Sequence, residues 1–377
     1  MSNQYVPAEP QTVLHPGEHL RDFLEAQELS QAEFADRAGI SEKHVSQIIG
    51  GKAGISAETA LILERVIGGG AELWINLDSS YRLSKARMQQ EETNGRAVEW
   101  AKGFPLSDLR KRGYIQSKRV GPDTVAELLR FFGVADVGQW EHRYGGTAVQ
   151  FRSSPSYEAS QKAQATYVRV CEHRAEVWDL PSFDAGRLQS ALGEIRNKLS
   201  ADPAVLLQEA KKALSQGGVA LVVEPDVTKA RLSGAAIWPR RNKAVLALTM
   251  RFQTADHLWF SFFHEAAHLL KHRNRTVLET EDAGGDLEAE ADSFARSVLV
   301  DAEAYRKFTM QREPSRADIE RFAETQRLPV DSVVGMLQHD RVLPFTAHND
   351  LKRKLNLSRL TVGFQLGGET SNEGNHL

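Results

Sequence analysis

The chain has very little cysteine, since Cys171 is the single one in 377 residues. One cysteine cannot form a disulfide within the chain. It also cannot build a zinc site of the cysteine-cluster kind, so histidine and carboxylate are the remaining metal ligands. No apolar run approaches the ~18 residues of a membrane-spanning helix, and residues 1–10 lack the basic and apolar segments of a signal peptide. We therefore expect a cytoplasmic protein that does not span a membrane.

Neither sign of charge dominates. Lys and Arg number 47 and Asp and Glu 50, for a net charge of -3. This balance argues against a chain that coats nucleic acid or an anionic membrane over its whole surface, although a local contact with nucleic acid stays open. With 41% hydrophobic and 26% charged residues, the composition is that of a globular protein. At roughly 100–200 residues per domain, the length predicts two or three domains.

Turn signals and changes in pattern divide the chain into regions. Residues 1–82 form short amphipathic segments punctuated by proline and glycine, which predicts a bundle of five helices. Residues 83–205 are helical in pattern and carry no chemical motif, so they are interpreted as a helical connector. Residues 206–361 combine helices with β-type runs at 219–223, 234–238 and 244–250. The predicted class is mainly α with an α+β C-terminal domain, followed by a flexible tail over 362–377.

Residues 31–50 have the pattern of two helices around a tight turn. Gly39 is suited to the positive φ of the turn, and Ser30 and Ser41 are suited to cap the two helices. In such a pair the second helix presents polar groups to base edges, while flanking side chains contact phosphates. The predicted DNA-binding residues are Gln31, Glu42, Lys43, His44, Ser46, Gln47 and Lys52.

The alternative for this segment is a helical hairpin that only packs. It is favoured by the charge of residues 1–90, where 12 Asp and Glu face 8 Lys and Arg. A domain with this acidic excess should bind DNA modestly as a monomer and depend on dimerisation or on a local basic face.

About 70 residues from His15 onward resemble the XRE-type helix-turn-helix of HigA-family antitoxins. The matching pieces are His15-Pro16-Gly17-Glu18 with Leu20, the SQAEFA helix, Gly39-Ile40-Ser41, Gly51-Lys52 and Leu73-Trp74-Ile75-Asn76-Leu77. The resemblance implies a lambda-repressor-like bundle, operator double-stranded DNA as partner, a homodimer and transcriptional repression. In the antitoxin members it also implies neutralisation of a partner toxin.

Four of the twelve histidines lie between residues 257 and 272, and 264–268 read H-E-x-x-H. Residues four apart share a helix face, so His264 and His268 can bind one zinc ion. Glu265, about 100° round the helix, can then act as general base. Apolar residues occupy the opposite face, which predicts a helix that packs on one side and faces a site on the other.

A third ligand is predicted on a later helix, 287–299. Glu288 and Asp292 border its apolar stripe, whereas Glu290 projects towards solvent. We therefore expect Glu288 as the third ligand and Asp292 as the acceptor of a hydrogen bond from one ligating histidine. Two histidines and a glutamate leave a position for water, as catalytic zinc sites do.

The segments FSFFHEAAHLLKH and EAEADSFARSVL together resemble the ImmA/IrrE metallopeptidases. The resemblance spans about residues 206–345 and implies a zincin-like small sheet with an HExxH helix, a zinc cofactor and cleavage of a protein partner, commonly a transcriptional repressor. It carries over His264, His268 and Glu288 as ligands and Glu265 as base.

Several interpretations of this region stay open. The strand at 244–250 is expected to lie at an edge where a peptide could pair, and Tyr305 and His339 are candidates for stabilising an oxyanion. His257 and His272 are expected to be capping or surface groups. One alternative function is a degenerate domain that keeps the metal without proteolysis. Another is a non-enzymatic antitoxin or repressor whose C-terminal domain binds a partner toxin or senses a signal.

Overall fold

The computed structural model describes residues 15–144, 161–251, 253–273, 275–280, 285–310 and 313–356. The chain divides into two compact units, residues 1–98 with 121–125 and residues 99–120 with 126–377. Across the described ranges, none of the helices has the length and apolar character that a membrane crossing requires. The predicted tail at 362–377 lies outside the described residues.

Five helices make up most of the first unit. They are α1 (Pro16–Ala26), α2 (Gln31–Ala38), α3 (Glu42–Ile49), α4 (Ala57–Val66) and α5 (Ala71–Arg96). Ser30 and Glu33 form a reciprocal capping box at the start of α2, and Gly39 closes that helix with a φ of 67°. Phe34, Val45 and Ile48 are fully buried between the helices. The predicted helical bundle is confirmed, while α5 continues through residue 82, where the first predicted domain ends.

The second unit contains several helices ahead of its sheet. They are α6 (Val98–Lys102), α7 (Leu106–Lys111), α8 (Pro122–Phe132), α9 (Val137–Tyr144), α10 (Gln161–Glu176), α11 (Ala185–Arg196) and α12 (Pro203–Gln216). Helix α6 begins at the boundary between the units, and the first residues of α8 belong to the first unit. Helix α10 lies within the region interpreted as a connector, yet its Tyr167 and Cys171 pack against Val222 and Ala235 of the sheet. This helix is therefore a layer of the second unit.

The sheet has four described strands in the order β1-β3-β2-β4. Strand β1 (Val219–Glu224) runs parallel to β3 (Lys243–Thr249), and β2 (Leu232–Arg240) pairs antiparallel with both β3 and β4 (Val277–Thr280). The three predicted β-type runs are confirmed as strands. The expectation that 244–250 forms an edge was wrong, because β3 lies between β1 and β2. Lateral strand order depends on tertiary pairing, which a single strand's pattern does not encode.

Side chains alternate between the two sheet faces, as the strand period of two requires. On one face Val222 and Val245 pack against α10, while on the other Leu221 and Leu246 join the larger core around α13 (Ala255–Lys271). The remaining elements are α14 (Asp286–Leu299), α15 (Ala302–Thr309), α16 (Arg316–Gln326), α17 (Val330–His339) and the 3-10 turn η1 (Asn349–Leu351). Helix α13 thus lies between the sheet and α14 and α17.

The side of α13 that was expected to face a site lies in the interior of the second unit. His264 is 3% exposed, and Glu265 and His268 are fully buried. The reason is that α14 packs against α13 at His264 and His268, while the sheet and α17 pack against other sides of the helix. A polar helix face therefore lies in the interior, where its charged groups need partners.

Candidate functional site

The centre of the candidate site is the pair of imidazoles on α13. His264 and His268 lie one helical turn apart, and their Nε2 atoms are 3.0 Å from each other. Phe262 and Phe263 are fully buried on the same helix and hold it in the core. The four-residue spacing and this packing together aim both imidazoles at α14.

Glu288 of α14 completes a cluster of three potential ligands. Its Oε2 lies 3.0 Å from Nε2 of His264 and 3.6 Å from Nε2 of His268. Ligand atoms about 2.1 Å from a tetrahedral zinc ion are about 3.4 Å from one another. The observed separations agree with that spacing, and two imidazoles with one carboxylate are a donor set that zinc accepts. The structure therefore brings together the three residues predicted as ligands, in an arrangement that fits the ion.

Protonation states in this cluster suit metal binding. Burial lowers the pKa of His268 and so favours its neutral form. Burial would raise the pKa of Glu288, but hydrogen bonds with His264 and His268 outweigh it and lower that pKa to about 2. A neutral imidazole and an ionised carboxylate are the forms that bind a metal ion.

Each imidazole also has a partner for its other nitrogen. Nδ1 of His264 lies 2.9 Å from Oδ1 of Asp292, the position that the sequence predicted for this acceptor. Nδ1 of His268 lies 2.8 Å from Nδ1 of His272, whose Nε2 lies 3.0 Å from Oε2 of Glu290.

His272 was expected to be a capping or a surface group. It is the C-cap of α13, and its ring is buried beside His268, not at the surface. It follows the last residue of α13 and turns inward. The third histidine at four-residue spacing was the signal that could have found this contact. Glu290 is half-exposed, as predicted, but also binds Lys271 at 2.7 Å.

Glu265 points at the sheet. A Cβ atom on Gly234 of β2 would lie 2.7 Å from both Cγ and Oε1 of Glu265. Only glycine leaves room for this carboxylate against the strand. No pattern in the sequence pointed to Gly234, because its proximity to Glu265 arises from the packing of α13 on the sheet.

Tyr305 and His339 are the two candidates for stabilising an oxyanion, and each contacts groups outside the cluster of candidate ligands. The Tyr305 hydroxyl donates to Oδ2 of Asp340 at 2.9 Å, and burial together with that carboxylate raises the pKa of Tyr305. Arg296 donates to the other oxygen of Asp340 at 2.6 Å. The exposed His339 ring lies 5.2 Å from the Phe260 ring, and Phe260 lies 6.4 Å from the His264 ring. His257 is partly buried, and burial lowers its pKa.

In the first unit, α3 presents the polar face that the sequence predicted. Val45, Ile48 and Ile49 are buried and anchor the helix. The outward positions form two groups by exposure. Glu42, Lys43, Ser46 and Lys52 are exposed, and Gln31, His44 and Gln47 are partly exposed. Ser41 accepts a hydrogen bond from the backbone N–H of His44 at 3.2 Å and so fixes the start of α3.

Comparisons with known proteins match the first unit. The helix-turn-helix family model matches residues 20–74. Virulence-associated protein I of Dichelobacter nodosus is 35% identical over 82 residues, which are 22% of this chain and 76% of that protein. The uncharacterized HTH-type transcriptional regulator YddM of Escherichia coli K12 is 32% identical over 71 residues, 19% of this chain and 76% of that protein. A solved structure of the Pseudomonas aeruginosa antitoxin HigA with the higBA promoter is 35% identical, covers 22% of this chain and 90% of that one, and has a TM-score of 0.21.

The first unit is a helix-turn-helix domain by its capped helix pair, its tight glycine turn and its sequence. Through this domain the chain belongs to the helix-turn-helix family. Each match covers about a fifth of the chain. The resemblance of the second unit to the ImmA/IrrE metallopeptidases stays a prediction.

Proposed function

We propose that this chain is a DNA-binding transcriptional regulator whose second unit is a zinc-dependent metallo-endopeptidase. The observation that carries the enzymatic part is the convergence of His264, His268 and Glu288 on one point, with Glu265 next to the ligand pair on α13. A regulator that also cleaves a protein partner would couple DNA binding to destruction of that partner or of itself.

The regulatory part is supported by the helix-turn-helix domain and by a relative described as a transcriptional regulator. In this proposal α3 enters the major groove of operator DNA, where Gln47 and Lys43 contact base edges or phosphates. The acidic excess of residues 1–90 weakens the attraction of a single domain to DNA. A homodimer, which places two recognition helices on two half-sites, would compensate for that weakness.

In the peptidase reaction, zinc would supply polarisation of the scissile carbonyl and acidification of a water molecule. His264, His268 and Glu288 would hold the ion, and Asp292 would accept a hydrogen bond that fixes the His264 ring. Glu265 takes a proton from the attacking water and passes it to the leaving amine.

The peptide in this proposal pairs with β4, since that strand ends the described sheet on the side nearer α13. Backbone pairing favours an extended segment of a protein over a folded one. The substrate class is therefore an exposed linker or terminus of a regulatory protein or partner toxin.

The test combines metal analysis with a search for the substrate. Full-length protein purified without added metal should contain about one zinc per chain. His264→Ala should lose the zinc, whereas Glu265→Gln should keep it and stop cleavage. A proteome comparison of strains with wild-type protein and Glu265→Gln should show a protein that accumulates in the variant strain. Absence of bound metal in the wild-type protein, even after incubation with zinc, would reject the enzymatic proposal.

A second candidate is a non-enzymatic regulator whose second unit binds a partner toxin or senses metal. It is favoured by the complete burial of Glu265 and His268, to which solvent has no access in this conformation. It predicts that Glu265→Gln leaves regulation and the proteome unchanged, whereas His264→Ala alters regulation through loss of the metal. Normal regulation by Glu265→Gln would favour this candidate over the peptidase.

A further inference from the structure

The two candidate histidine ligands differ in what supports them. His264 faces the carboxylate of Asp292, a charged acceptor. His268 faces another imidazole, that of His272, at 2.8 Å. We propose that His272, backed by Glu290, is a positioning residue that holds the ring and tautomer of His268 for the metal. The inference rests on the metal site of the proposed function.

The contact between His268 and His272 lies at the C-terminal end of helix α13. His272 is the residue at which α13 ends, with φ of -111° and ψ of 51°, and its backbone N–H still donates to the carbonyl of His268. His272 follows His268 by four residues, and the two rings lie 5.0 Å apart between centroids at an interplanar angle of 45°. The imidazole of His272 is thus directed at His268 and is buried there.

The hydrogen bonds that connect His268, His272 and Glu290 are consistent with one direction of donation only, from His268 towards Glu290. If Nε2 of His268 offers its lone pair to a metal, Nδ1 carries the hydrogen and donates to Nδ1 of His272. His272 then carries its own hydrogen on Nε2, where it donates to Oε2 of Glu290 at 3.0 Å. The carboxylate of Glu290 ends the path as the acceptor and is itself held by Lys271.

His272 would affect metal binding by fixing the orientation of the His268 ring. Partners of ligating histidines fix the ring and tautomer, and their removal typically lowers metal affinity by about 10- to 100-fold. Without His272, the Nδ1–H of His268 faces a buried space without its acceptor, and the ring is free to choose the wrong tautomer. Glu290 lies farther from the metal and is half-exposed, so its neutralisation should weaken binding less than loss of His272.

The experiment uses the full-length chain and zinc itself as the probe. Zinc affinity is measured by competition with a chromophoric chelator, and the ligand field by the visible spectrum of the cobalt-substituted protein. His272→Ala should bind zinc about 10- to 100-fold more weakly with an altered cobalt spectrum. His272→Gln should recover most of the affinity, because its amide oxygen can accept from His268 while its NH2 donates to Glu290. Glu290→Gln should give a smaller loss, and exposed Arg275→Ala serves as the matched neutral control.

The possible outcomes distinguish a failure of this inference from a failure of the proposed function. Wild-type protein without zinc affinity would reject the metal site and the inference together. Wild-type affinity in His272→Ala with an unchanged cobalt spectrum would reject the inference alone. The same holds if His272→Gln is as weak as His272→Ala, since hydrogen bonding then plays no part. If His272→Ala fails to fold, the zinc affinities of His272→Gln and of the surface variant Glu290→Gln are compared with that of Arg275→Ala. Zinc affinity in Glu290→Gln equal to that in Arg275→Ala would then overturn the inference.

Discussion

Gly234→Ala tests whether the sheet positions the general base. The added Cβ would lie 2.7 Å from Cγ and Oε1 of Glu265 and 3.1 Å from its Cδ. Carbon atoms in contact are normally about 3.5–4.0 Å apart, so Glu265 or β2 must move by about 1 Å. Glu265 is fully buried and cannot turn into solvent to make room. Overpacking of this kind costs about 1–3 kcal/mol of folding free energy.

The substitution should lower the rate of cleavage as well as the stability of the fold. A displacement of about 1 Å at a catalytic group can lower the rate about 100-fold. The predicted result is thus a moderate loss of stability in urea unfolding, retained zinc, and cleavage reduced by about 100-fold. The control is Gly193→Ala at an exposed position of α11, where a Cβ meets nothing within 4 Å. Replacing glycine by alanine in a helix should stabilise it by about 0.5–1 kcal/mol.

A double variant identifies the source of the strain. In a Glu265→Ala background the Cγ, Cδ and carboxylate are absent, so Gly234→Ala should cost much less stability than in the wild type. An equal cost in both backgrounds would refute the reasoning, because the strain would then come from the strand backbone. Unchanged cleavage by Gly234→Ala would refute the positioning of Glu265 by β2.

Three further predictions concern the two units. Lys43→Ala and Gln47→Ala should weaken operator binding in gel shifts, and Lys43→Ala should lower the salt slope by about 1 if it contacts a phosphate, with exposed Lys85→Ala unaffected. Asp292→Ala should lower zinc affinity about 10- to 100-fold in chelator competition, and equal affinity would contradict its contact with His264. Burial lowers the pKa of His15 below its ordinary 6.5, so its contribution to stability is full above that pH and falls as the imidazole protonates in acid. His15→Asn, which keeps a cap for α1, should therefore show a weaker loss of urea stability between about pH 8 and about pH 5.5 than the wild type, and equal slopes would contradict this role.

Local signals made the helix-turn-helix readable in the sequence. Ser30 and Ser41 cap helices through backbone N–H groups three residues away, and Gly39 takes its positive φ within the turn itself. These interactions span a few residues, so the sequence contains everything that specifies them. The polar face of α3 follows from helical periodicity in the same way.

The candidate metal site was also predictable in large part. The i, i+4 spacing places His264 and His268 on one face, and periodicity places Glu288 and Asp292 side by side on the later helix. That these two helix faces meet had to be assumed, because His264 and Glu288 are 24 residues apart in sequence. The scarcity of cysteine helped, because it left histidine and carboxylate as the donors to search for.

The sequence by itself determined where the helices begin, which faces are polar and which residue types could bind a metal ion. Only the tertiary structure decided that β3 lies inside the sheet, that α14 closes over α13, and that α10 covers the other sheet face. It also brought Gly234 against Glu265 and Glu290 against His272. The physical reason is that periodicity specifies the faces of an element through local geometry, whereas the partner of each face is selected by the packing of the whole unit.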